Sequence, residues 1–165
     1  MEPTGSPTAL MEVVAFQDQI PDNFCYGCGP SNPVGLKLKS YWDGEEAVST
    51  FEPSSHQAAG PRQFLNGGVI ATLIDCHCVC TAVANAYRLE DRPIGSEPHI
   101  WCVTAALNVT YLRPTPIDKP VMLRVRILET TAKKTVLECS LHSGFDECAR
   151  GEVVTVRVPE SWRVG

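Results

Sequence analysis

The stretch NGGVIATLIDCHCVCTAVANAYR, residues 66–88, decides the architecture of this chain. It is rich in Ala, Val, Ile, Leu and Cys, and Asp75 is its only charge before Arg88. It is too long for a strand and opens with Asn66, whose side-chain oxygen can accept from the first helical N–H groups. The reading is a helix over 67–88, apolar on nearly every face. Such a helix belongs inside a protein rather than on its surface. No other stretch approaches the ~18 uncharged apolar residues of a membrane span, and Asp75 and His77 interrupt this one. No membrane association is expected.

Outward from the helix, the loop LEDRPIGSEPH at 89–99 stops it with Pro93, Gly95 and Pro98. Four strand-like runs follow, at 100–112, 120–130, 134–143 and 147–158. Val121, Leu123, Val125 and Ile127 alternate with Met122, Arg124 and Arg126, the period of a half-buried strand. The links between the runs are short, which implies antiparallel neighbours. Upstream, 35–41 and 47–51 read as two strands around the turn Trp42-Asp43-Gly44-Glu45. A short helix is expected around 10–16. Residues 21–33 and 53–66 are dense in turn formers and read as loops. A lone helix apolar all round needs a sheet that curls about it. The expected fold is α+β of the hotdog kind, a curved antiparallel sheet around one long buried helix. A lead-in at 1–24, a single domain at 25–158 and a tail at 159–165 complete the organisation.

Composition sets the outer limits. With 165 residues the chain suits one domain, and 44% hydrophobic with 20% charged residues excludes a disordered or collagen-like chain. The net charge of −5 argues against broad nucleic-acid binding, which needs a basic footprint. The first sixteen residues carry neither a basic n-region nor a long apolar h-region, so no secretory signal is read. Eight cysteines without such a signal, three of them within five residues, read as free thiols in a reducing cytoplasm.

Three segments carry a resemblance. They are Cys25-Tyr26-Gly27-Cys28-Gly29-Pro30-Ser31-Asn32-Pro33-Val34-Gly35-Leu36; Asn66-Gly67-Gly68 through Asp75; and Thr104 through Tyr111-Leu112-Arg113-Pro114. In that order and spacing the chain resembles the acyl-CoA thioesterases of the hotdog superfamily, in the phenylacetate-type (PaaI-like) branch. The similarity covers about residues 25–116. The branch usually has His-Gly-Gly where this chain has Asn66-Gly67-Gly68, and asparagine is neither an acid nor a base near neutral pH. The resemblance implies hydrolysis of an acyl-CoA thioester, no cofactor, and self-association as a dimer or tetramer.

Thioester hydrolysis needs donors for a developing oxyanion and a base or nucleophile near the carbonyl carbon. Gly67 and Gly68 open the helix, where N–H groups lack intrahelical partners and the dipole is positive. They could hold an oxyanion, or simply serve tight packing. Asp75 reads as the base or the nucleophile; residue types do not choose between the two. Thr104 matches a position where relatives carry a Ser or Thr that assists the carboxylate, and Asn66 orients the site. Asp75 lies eight residues beyond Gly67, about 12 Å along one helix. Reacting groups must meet within about 3 Å, so one chain cannot bring both to the same carbonyl. Two antiparallel helices across a two-fold axis could, which predicts composite sites in a dimer. Gln63 is a candidate for lining the site; Arg113, Lys133 and Lys134 are candidates for coenzyme A phosphates, with Arg62 beside them. His56 in the loop before the helix reads as solvated or structural.

Two other classes compete. A hotdog protein that binds a thioester without hydrolysing it would explain Asn66, but not a retained buried carboxylate. His77 keeps a hydratase alive, although it reads first as a packed or interface histidine. The spacing Cys25-x-x-Cys28 suits a metal ligand pair or a redox pair. Zinc would need two more ligands, with His56 or His99 as candidates. Cys76, Cys78 and Cys80 do not converge as a group; only Cys76 and Cys80 share a helix face. The site reading therefore contains no metal.

Overall fold

A computed structural model describes residues 13–163. Strands β1 (Tyr41–Asp43) and β2 (Glu46–Phe51) precede helix α1 (Gly67–Leu89). Strands β3 (Trp101–Tyr111), β4 (Val121–Thr130), β5 (Lys134–Ser143) and β6 (Asp146–Val158) follow it. The six strands form one sheet in the order β1-β2-β4-β5-β6-β3, every neighbouring pair antiparallel. Helix α1 packs on β2, β3, β4, β5 and β6. This is the hotdog arrangement that the long apolar helix demands.

Alternation in the strands builds the core. Leu137, Cys139 and Leu141 of β5 are fully buried, as are Val121 and Val125 of β4. From the helix, Leu73, Ile74 and Cys78 are fully buried. Burying a Leu or Ile side chain stabilises a fold by roughly 1.5–3 kcal/mol, so this stripe dominates the energetics. Gly151 sets how closely helix and sheet approach: a Cβ there would lie 2.3 Å from Ile74 Cγ2. The helix is long and apolar enough to cross a membrane by composition alone, yet most of its apolar stretch is buried within the fold.

The N-terminal third departs from the expected elements. Of the helix expected at 10–16, residues 10–12 lie outside the described residues and 13–16 are not helical; a short 3-10 turn spans Gln17–Gln19 instead. The strand expected at 35–41 is formed only at Tyr41. Lys37 sits at φ 61° and breaks the extended run. Its neighbours Leu36 and Leu38 donate their N–H groups to Tyr26 O (2.8 Å) and Gly27 O (3.1 Å), not to the sheet. The hairpin turn falls one residue later than expected, because Asp43 pairs with Glu46. Gly44 therefore takes the first central position, with the positive φ of 63° that a tight hairpin needs there.

The two edges of the sheet are unequal. β1 has three residues and β3 has eleven. β3 also carries a bulge between Thr104 and Ala106, where the register against β6 slips by one residue. Bulges bend a strand and re-aim its side chains.

Candidate active site

The helix start is built by stitching two loops together. Leu65 N–H donates to Thr115 O (2.8 Å), Ile117 N–H to Gln63 O (3.0 Å), and Asn66 N–H to Gln57 O (2.9 Å). The segment before the helix is thereby tied to the segment after β3. Asn66 caps the helix, its Oδ1 accepting from Gly68 N (2.8 Å) and Val69 N (3.3 Å). That occupies the N–H of Gly68. The N–H of Gly67 has no acceptor among the described residues, so of the two glycines it is the one left open to a ligand. Tyr111, at the end of β3, donates its hydroxyl to Gly67 O at 2.7 Å. A Cβ at Gly67 would meet its ring at 3.4 Å. Tyr111 was legible only as part of a strand motif; its grip on the helix start needs the loop stitching.

Two turns along, Asp75 is half-buried and faces β3. Thr104 Oγ1 donates to its Oδ1 at 2.5 Å, just before the bulge. Burial raises the Asp75 carboxyl above its ordinary value, the Thr104 bond opposes this, and the neighbouring Cys28 adds to the rise. Asp75 and Thr104 lie on the wall of a cavity of about 310 Å³ that is otherwise mainly apolar, with Ile20, Val79, Val83 and Ile100 among its lining. A half-buried carboxylate with one hydrogen-bond donor, beside an apolar cavity, has the setting of a general base or nucleophile.

His77 lies elsewhere. It is fully buried, with Ser40 Oγ 2.8 Å from its Nδ1 and Ala47 O 3.2 Å from its Nε2. Gln17 Nε2 donates to the same Ser40 hydroxyl at 2.8 Å, which leaves that hydroxyl to donate to Nδ1 and Nε2–H to donate to Ala47. Burial lowers its pKa to about 4, so the ring is neutral. His77 is a packed histidine away from the cavity, which removes the acid–base pair a hydratase would draw from it.

The phosphate candidates are dispersed. Gln63, Arg62 and Arg113 are exposed near the helix start, and Arg113 faces Asp146 at 3.5 Å. Lys133 ends the β4–β5 turn and Lys134 opens β5; Lys133 borders a cleft with Ala86 and Leu89 at the far end of α1, and Lys134 faces Glu129 at 3.6 Å. Within one chain the two groups are separated by most of the helix, and the fold does not bring them together. The loop residue His56 is exposed, and His99 sits 3.8 Å from Glu97.

Comparison with known proteins bears on this geometry. Residues 63–149, just over half of the chain, match the thioesterase superfamily model. The chain belongs to that superfamily. Thioester hydrolysis is the family's general chemistry, and the matched span contains the helix start, Asp75 and Thr104. A thioesterase superfamily protein from Shewanella loihica is 41% identical, with a TM-score of 0.61 over 74% of this chain and 91% of its own. The Escherichia coli PaaI protein of the phenylacetic acid degradation operon shares the fold, with a TM-score of 0.61 at 15% identity over 75% of this chain and 81% of its own. A mouse protein, acyl-coenzyme A thioesterase THEM4, is 25% identical over 112 residues, 67% of this chain. The match spans 42% of that relative's length.

Proposed function

We propose that this chain hydrolyses acyl-CoA thioesters, with Asp75 as general base or nucleophile and the acyl group in the cavity beside it. The observation that carries this reading is the Asp75–Thr104 pair on the wall of an apolar cavity. As base, Asp75 takes a proton from water as the water attacks the carbonyl carbon. The C–S bond then breaks, the proton held by Asp75 passes to the leaving sulfur, and the products are the free acid and the coenzyme A thiol. The raised carboxyl pKa favours proton acceptance. The mouse relative's name supports coenzyme A as the thiol carrier.

The oxyanion partner is the N–H of Gly67 from a second copy, because within one helix it lies about 12 Å from Asp75. The edge strand β3 supports such a dimer. It is long, has no neighbour on one side among the described residues, and exposes Ala105, Ala106, Leu107 and Asn108 in succession. An open edge of this kind is a template for pairing with another chain. Pairing two β3 strands across a two-fold axis would set the two helices antiparallel; tetramers would pair such dimers again. Eight free thiols suit the reducing cytoplasm as the site of action.

The test is thiol release from short, long and aryl acyl-CoAs by the wild type beside Asp75→Asn. Turnover lost in the variant, with folding retained, supports the hydrolase. Absence of turnover across the panel with acyl-CoA still bound would replace it with the binding-only reading.

A further inference from the structure

Four cysteines from two distant parts of the sequence line one wall, three of them in mutual contact range and the fourth against one of these. Cys25 and Cys28 come from the loop before β1, Cys76 and Cys80 from one face of α1. The Sγ atoms of Cys25, Cys28 and Cys76 all lie within 4.8 Å of one another. Cys25 Sγ is 3.6 Å from Cys76 Sγ, and Cys28 Sγ is 3.6 Å from Cys80 Sγ. Sulfurs around a tetrahedral ion with ~2.3 Å bonds stand about 3.8 Å apart, so the Cys25–Cys76 and Cys28–Cys80 separations suit a shared ion. Cys80 touches the group through Cys28 and lies outside the 4.8 Å set of the other three, so ion binding would draw its sulfur inward.

The loop is shaped for this approach. Gly29 N–H donates to Cys25 O at 2.8 Å and closes the turn between the two cysteines. A Cβ at Gly29 would lie 2.3 Å from Cys25 N and 2.5 Å from Asn23 O. A Cβ at Gly27 would lie 2.2 Å from Cys76 Sγ and 2.8 Å from Thr72 Cγ2. Gly27 is therefore required where the loop meets the helix, and Gly29 where the loop folds back on its own backbone. Asn23 Nδ2 lies 3.9 Å from Cys28 Sγ, an outer donor of the kind that steadies a metal-bound thiolate.

We propose that Cys25, Cys28, Cys76 and Cys80 form a tetrathiolate site for a divalent zinc ion. Four soft sulfur donors and no carboxylate select zinc over magnesium or calcium. The four protein ligands close the coordination shell, so the ion is structural. It ties the 21–40 loop to α1 and fixes the cavity wall next to Asp75, since all four cysteines line that cavity. The site is separate from the hydrolytic reading and stands or falls without it. Two disulfides, Cys25–Cys76 and Cys28–Cys80, are the rival use of the same sulfurs; they require an oxidant, whereas the ion requires only loss of thiol protons.

The experiment measures zinc per chain in wild-type protein purified from zinc-supplemented cells, and the spectrum after cobalt(II) is added to metal-stripped, reduced protein. Expected are about one zinc per chain and intense thiolate-to-cobalt and tetrahedral ligand-field bands. Cys28→Ser should lower metal affinity by more than the ~10–100-fold cost of losing an outer-shell partner. Cys148→Ser, on β6, should retain the metal. If Cys28→Ser fails to fold, Cys25→Ser at the exposed position gives the same readout. Reduced wild type that takes up no more zinc than Cys25→Ser and shows no thiolate–cobalt band would overturn the proposal. So would Cys25–Cys76 and Cys28–Cys80 disulfides in protein purified without oxygen.

Discussion

Asp75 and His77 stand two residues apart on one helix and meet opposite environments. His77 points into packed interior, is neutral, and has both ring nitrogens engaged by Ser40 and Ala47. Asp75 is half-buried, has one hydroxyl partner, and looks into a cavity. Both are polar groups in an apolar segment, and each carries a desolvation cost. At His77 that cost is offset by a closed set of hydrogen bonds that holds the fold. At Asp75 it is left partly open, which is the state a reacting group needs.

The comparison predicts opposite outcomes for the two positions. Asp75→Asn should reduce turnover by about 10²–10⁴-fold in a thiol-release assay. Its thermal unfolding midpoint should stay level or rise, because burial penalises the charged form. A variant that lost stability as well would break the contrast.

His77→Ala should do the reverse. It strands the Ser40 hydroxyl and the Ala47 carbonyl and opens space in the core, costing about 3 kcal/mol in denaturant unfolding, with turnover per folded molecule within about three-fold. His77 also sets a pH dependence. Its folded pKa is about 4, below the ordinary 6.5, so the unfolded chain binds the extra proton between these values. Stability should be full above pH 6.5 and fall as pH drops toward 4, by ~3 kcal/mol in total from this group. His77→Gln should flatten that segment of the stability–pH curve.

Thr104→Val sharpens the Asp75 side. Removing the one donor that lowers its pKa should move the acid limb of the pH–rate profile to higher pH and slow turnover by about ten-fold, or ~1.4 kcal/mol. An unmoved limb would show that Thr104 only packs. The smallest effect belongs to Asn66→Ala, which removes the cap from Gly68 and Val69 and should cost ~1 kcal/mol of stability. Its turnover should change little, since Gly67, not Gly68, presents the open N–H.

Much of the architecture was legible because it is written in local patterns. The 66–88 stretch shows its length, its apolar faces and its cap, and the last four strands show alternation and short links. Residues 35–40 misled for the same reason. They look extended and apolar in alternation, but Lys37 turns left-handed and the backbone bonds go to the cysteine loop. Spacing in the sequence marks Cys25 and Cys28 as a pair with His56 or His99 as further ligands, and places Cys76 and Cys80 on one helix face without joining the two pairs. Only the folded loop sets Cys25 against Cys76 and Cys28 against Cys80.

The sequence by itself determined that one helix would be buried in a curled antiparallel sheet, and that Asp75 would be its costly residue. Helical and strand periods are properties of a few neighbouring residues, so a single chain displays them. Only the tertiary structure decided what Asp75 faces. Thr104 is 29 positions away and arrives through the β3–β6 register and its bulge. Tyr111 reaches Gly67 across 44 positions through two stitched loops. Such contacts depend on strand order and register, which are fixed by the packing of the whole core rather than by local residue pattern.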